Sequence, residues 1–98
     1  MNSCLIMVIA PFGLADKIIE SAAQAGATGA TTIHARGAET PAKEGFLSLV
    51  IEPEEEIVLI VATKESTEDI CGSISKGLKS SGRNASVYVL PVNRLNPQ

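Results

Sequence analysis

Continuous apolar runs alternate along this chain with one-sided apolar stripes, and their order predicts the architecture. Cys4-Leu5-Ile6-Met7-Val8-Ile9-Ala10 is unbroken, rich in β-branched residues and stopped by Pro11, the pattern of a central strand covered on both faces. After Pro11-Phe12-Gly13, the apolar residues Leu14, Ile18, Ile19, Ala22, Ala23 and Ala25 fall on one helical stripe. Asp16, Lys17, Glu20, Ser21 and Gln24 fill the other face, and Gly26 stands where a helix C-terminal glycine belongs. Residues 30–35 read as a strand through Thr31-Thr32-Ile33, and Gly37 to Gly45 as a polar loop carrying Pro41, Lys43 and Glu44. Phe46 to Ile51 is a further extended segment, and "EPEEE" (Glu52 to Glu56) turns the chain into the buried strand Ile57 to Ala62. Ser66-Thr67-Glu68-Asp69 has the form of a capping box opening a helix with Ile70, Ile74 and Leu78 on one stripe, which Gly72 and Gly77 weaken. The turn "SSGRN" follows, and Ala85 to Val92 is the last strand.

The two halves match, Val8 to Ile18 lying over Leu59 to Ile70 with the same strand-to-helix change. Two βαβ halves of this kind give an α+β, ferredoxin-like (βαββαβ) two-layer sandwich, with a four-stranded antiparallel sheet and both helices on one face. All 98 residues form one domain. Such a sheet leaves one face uncovered, yet Ile57 to Ala62 is apolar on both sides, so the second side must be covered by another subunit. A homo-oligomer is expected.

Composition narrows the partners. A net charge of −3 argues against nucleic acid, whose affinity comes mostly from counterion release by a basic surface. With 3% aromatic residues, platforms for base stacking are lacking too. The run Cys4 to Ala10 is far below the roughly eighteen residues of a membrane span and lacks the flanks of a signal peptide. A cytoplasmic protein without membrane insertion is expected. Cys4 and Cys71, far apart and among apolar neighbours, read as buried free thiols.

The candidate chemistry is cationic and lies at glycine-rich turns. "GATGATTIHARG" (Gly26 to Gly37) ends a strand on Arg36-Gly37, and "SGRNAS" carries Gly82-Arg83 after a helix. Guanidinium groups beside backbone that a ligand can approach suit a phosphate or a carboxylate, and solvated surface charge is the alternative. His34, the lone histidine, reads as a surface or interface side chain, and Glu54-Glu55-Glu56 as a solvated hairpin tip whose carboxylates do not converge.

"APFGLADKIIESAAQAGATGATTIHARG", "EIVLIVATKES" and "VYVLPVNRL" together resemble the P-II nitrogen-regulatory signalling proteins, over about Leu5 to Leu95. The resemblance implies a homotrimer that binds an adenine nucleotide (ATP, ADP or AMP) in clefts between subunits and regulates a protein partner, such as a transporter, through a protruding loop. It implies a sensor and not an enzyme. Thr31 matches the threonine of the family's T-G-x-T, so the effector site it suggests comprises Gly29, Thr31, Arg36, Gly37, Gly82 and Arg83. Residues 37–45 stand for the family's T-loop but are shorter and contain no tyrosine; Leu59 replaces a glutamate facing the adenine; "SGRNAS" replaces the Gly-Asp-Gly-Lys phosphate loop; and the C-terminal arginines are missing. These departures mark a divergent member whose ligand is an adenine nucleotide or another small anion. The alternative is a stand-alone ferredoxin-like small-molecule or metal-binding regulatory domain without nucleotide binding. An acylphosphatase-like hydrolase on the same fold would need an arginine in the first turn, where this chain has "APFGLAD".

Overall fold

A computed structural model describes residues 3–37 and 54–95. Its elements are β1 (Ser3–Pro11), α1 (Ala15–Gln24), β2 (Thr31–Arg36), β3 (Glu54–Thr63), α2 (Lys64–Ser81) and β4 (Ser86–Val92). They build one antiparallel sheet in the order β2-β3-β1-β4, the ferredoxin-like arrangement. The T-loop-like segment beyond Gly37 and the extended segment Phe46 to Ile51 lie outside the described residues.

Alternation along the strands decides which residues meet the helices. Ile6, Val8 and Ala10 on β1 and Val58, Ile60 and Ala62 on β3 point one way, and close against Leu14, Ala15, Ile18 and Ala22 from α1 and Ile70, Ile74 and Leu78 from α2. This core is wholly aliphatic. The intervening residues, Leu5, Met7 and Ile9 on β1 with Ile57, Leu59 and Val61 on β3, point to the uncovered face, where register sets them beside Thr31 and Ile33 of β2 and Tyr88 and Leu90 of β4. Ile33, Val61, Tyr88 and Leu90 are exposed there, Val61 at 62%. Two strands that read as apolar on both sides therefore do have one bare apolar face within the single chain.

The start of α2 differs from the sequence expectation. The helix opens three residues before the anticipated capping box, with Thr63 as N-cap accepting from the Ser66 N–H at 3.2 Å. Thr63 is also the last strand residue, so strand and helix share one hinge and leave no room for the linker that a cap at Ser66 would imply. Gly77 does not cut the helix short, because a side chain there would run into Ser21 of α1; the glycine lets the two helices approach. Gly82 closes α2 in the left-handed conformation, φ +73°, which gives this glycine a capping role of its own. Among the described residues, no helix is long and apolar enough to cross a membrane.

Both cysteines are free but only half-buried, not the fully buried thiols expected. Cys71 packs at the edge of the core on α2, and Cys4 lies on the helix-facing side of β1. Burial, and then the neighbouring Cys4, push the Cys71 thiol above its ordinary pKa. Cys71 should therefore alkylate with iodoacetamide along a pH profile shifted above that of free cysteine. The same raised value means that stability is lost as pH rises past the ordinary thiol range, since the unfolded chain gives up its proton first. Cys71→Ala should flatten that alkaline slope, measured by denaturation at stepwise pH.

Candidate functional site

Register places the six expected site residues in three groups. Gly29 and Thr31 lie at the start of β2, where Thr31 pairs with Leu59. Arg36 and Gly37 lie at its finish, where Arg36 pairs with Glu54. Five residues of extended chain separate Thr31 from Arg36, roughly 16 Å, and the two stand on opposite faces of the sheet. Gly82 and Arg83 precede β4, whose first residue pairs with Ile9 near the end of β1, so they share a sheet end with Arg36. They belong to the other edge, however. Strand order puts β3 and β1 between β2 and β4, a span of roughly 14 Å. One chain does not bring Arg36 and Arg83 onto one small ligand; two copies meeting edge to edge can.

At the Arg36 end the structure builds a cleft of about 370 Å³, lined by Phe12, His34, Ala35, Arg36, Glu54 and Glu55. Phe12 meets the His34 ring edge-on at 5.6 Å, and both are exposed. Glu55 passes directly over the Cα of Gly37, in the space a side chain would need, which gives that glycine a steric reason of its own. The cleft carries two carboxylates beside one arginine and one histidine, so its charge does not by itself favour an anion. A second guanidinium from another copy would tip the balance.

Glu56 corrects the sequence reading most sharply. It was expected at a solvated hairpin tip, and it is buried, because it belongs to β3 in the same alternation as Val58 and Ile60. Its Oε1 accepts from the N–H groups of Gly13 (3.0 Å) and Ala15 (2.9 Å), where α1 begins without any cap from its own side chains. An acceptor is thereby supplied to orphan amides at the positive end of the helix from another element. Its Oε2 lies 3.6 Å from His34 Nε2, the one ion pair among the described residues. His34, with its side chain 71% exposed, is indeed a surface residue and also the lid over this carboxylate.

Arg94 was missed by sequence reasoning. It lies just beyond β4 and lines two neighbouring clefts on the open face, one with Thr28, Gly29, Ala30, Thr31, Leu59 and Val61, the other with Ser3, Leu5, Val61, Val92 and Asn93. Its signal was the one that singled out Arg36, a cation just past a strand; no flanking glycine drew attention to it.

Solved structures share this arrangement. A protein from Shewanella baltica OS155, described as of the DUF3240 family, superposes with a TM-score of 0.75 at 11% identity, covering 100% of this chain and 98% of that one. Arabidopsis thaliana PII bound to citrate superposes at 0.71 with 17% identity, covering 93% of this chain and 78% of that one. This is a PII-like fold. A Bacillus cereus protein related to NIF3 also matches, at 0.73 and 12% identity over 94% of this chain but only 25% of its own length, so the same PII-like fold also matches part of a much longer chain. No protein-family model matches the sequence, and no curated protein matches it.

Proposed function

We propose that this chain is a PII-like regulatory protein that assembles through its open sheet face and holds a small anionic effector between subunits. Arg36 and Gly37 of one copy and Gly82 and Arg83 of the next supply the grip. The observation that carries this reading is the placement of those two pairs at one end of the sheet but on opposite edges, beside a bare apolar face. The solved PII with this fold holds citrate, an anion of the expected kind. An adenine nucleotide is the effector that the resemblance implies, and a homotrimer the assembly. The partner, a transporter or another regulator, is engaged through the segment between β2 and β3, which leaves the sheet beside the same cleft. We read the protein as a sensor and not a catalyst.

A thermal-shift screen against ATP, ADP, AMP, citrate, 2-oxoglutarate and bicarbonate tests the effector, because a ligand at a hundred times its Kd stabilises by about 2.7 kcal/mol. A response to ATP supports the nucleotide, and a response to a carboxylate alone keeps a small-anion effector but removes the nucleotide. Flat melting curves with every anion would sink the anionic effector. Deleting residues 38–44 should leave the oligomer's mass per chain count and its melting temperature nearly unchanged while abolishing partner capture in pull-downs. Unfolding on deletion would remove the effector arm from the proposal.

A further inference from the structure

A groove of about 340 Å³ is lined only by residues of α1 and α2, so it lies across the helix layer, away from the open sheet face. Assembly through that face leaves the groove in water. Its floor is Ser21, a polar residue only 7% exposed where the two helices meet. The Ser21 hydroxyl takes part in no hydrogen bond among the described residues, and no sealed side-chain polar atom there lacks a partner, so its oxygen opens into the groove. Gly77 keeps that opening clear, because a side chain there would run into the same oxygen. Lys17 reaches over the floor from α1, its Cε 4.0 Å from the place of a Gly77 Cβ, and Lys76 stands on the α2 side. Among the described residues neither ammonium is ion-paired.

The remaining lining has the opposite character. The Ser73 hydroxyl donates to the Ser21 carbonyl and the Ser80 hydroxyl to the Gly77 carbonyl, so both oxygens have only lone pairs left to offer. Glu20 adds a carboxylate and Gln24 an amide. A bare oxyanion would satisfy the ammonium groups and meet these acceptors without a donor, whereas a neutral sugar would leave two cations without a counter-charge. The lining therefore asks for one molecule with an anionic end and hydroxyl groups.

We propose that this groove binds a phosphorylated polyol, such as a sugar phosphate, at a site complete within one chain and independent of the intersubunit site proposed above. A phosphate monoester carries close to two charges and three acceptor oxygens at neutral pH, which matches two lysines and the Ser21 hydroxyl better than a singly charged carboxylate does. Ser73, Ser80 and Glu20 accept from the hydroxyls of the ligand, and Gln24 serves either end. The volume falls within the range of small-molecule sites.

The test is titration of the full-length protein with glucose 6-phosphate and with glycerol 3-phosphate, followed by amide proton–nitrogen spectra, with glucose, gluconate and inorganic phosphate as separate arms. Resonances of Lys17, Ser21, Gln24, Ser73, Lys76 and Gly77 should shift together and saturate, with one of the two phosphorylated polyols binding about tenfold or more tightly than any of the other three compounds. Lys17→Gln and Lys76→Gln should each weaken that binding about tenfold or more, Lys76→Arg should keep most of it, and Ser21→Ala should weaken it less than either lysine variant. Both lysines are exposed, so the unliganded spectra of their variants should overlay on wild type away from the substitution. Arg36→Ala should leave the titration unchanged, and loss of the shifts in that variant would overturn the independence of this site. Equal affinity for inorganic phosphate or gluconate would overturn the ligand class. No saturable shift at these residues, or unchanged affinity in both Lys→Gln variants, would overturn the site.

Discussion

Replacing Met7 by aspartate should turn the proposed assembly into monomers of 10.2 kDa while leaving the far-ultraviolet spectrum intact. Met7 lies in the middle of the open face, between Leu59 on β3 and Tyr88 on β4. In a lone chain the new carboxylate stays hydrated on the surface and costs the core nothing, since Met7 points away from Ile6 and Val8. In an assembly closed over this face the same carboxylate loses its water without gaining a partner, which costs several kcal/mol per copy. Analytical ultracentrifugation at micromolar concentration reads the outcome. An aspartate variant that sediments as wild type would mean that assembly, if any, uses another surface.

Glu56→Ala should be the most destabilising polar substitution. It removes two hydrogen bonds from backbone N–H groups to a buried carboxylate, at roughly 1.5–3 kcal/mol for each bond to a charged group, offset where water reaches the half-exposed Gly13 amide. It also removes the negative charge at the start of α1, worth about another 0.3–1 kcal/mol. A net loss of about 2–4 kcal/mol is expected, enough to lower the melting temperature of a domain this size by roughly 10 °C or more. Glu56→Gln keeps one acceptor oxygen and should fall in between. His34→Ala removes only an exposed ion-pair partner and should cost under about 1 kcal/mol. If Glu56→Ala melted with the wild type, the carboxylate would not be holding α1 to β3.

These two residues show what the sequence makes legible. The architecture follows from apolar periodicity, because a strand such as Cys4 to Ala10 and a stripe such as Leu14, Ile18 and Ala22 allow few other arrangements. Glu56 was misread for the converse reason. With both phases of Ile57 to Ala62 apolar, alternation does not say which phase is inside, and three successive glutamates look alike until pairing with His34 and Ala10 fixes the phase. Thr63 was passed over as a cap because it still reads as strand. For the candidate site, local sequence found cations beside strand and helix ends but not their distances. Arg36 and Arg83 are separated by strand order, a property of the whole sheet, and Arg94 joins Thr31 only because β4 ends where β2 begins.

The claim that the effector sits between copies is tested most directly by mixing two damaged chains. Arg36→Ala spoils the β2 edge and Arg83→Ala the β4 edge of the proposed site, so oligomers of either variant alone should bind ATP and citrate at least tenfold more weakly than wild type. Co-refolded in equal amounts, the chains assort at random, and wherever an intact β2 edge faces an intact β4 edge a whole site reappears. Calorimetric titration should then find wild-type affinity at about a quarter of the sites. Recovery of none, or full affinity in each variant on its own, would contradict a site shared between subunits.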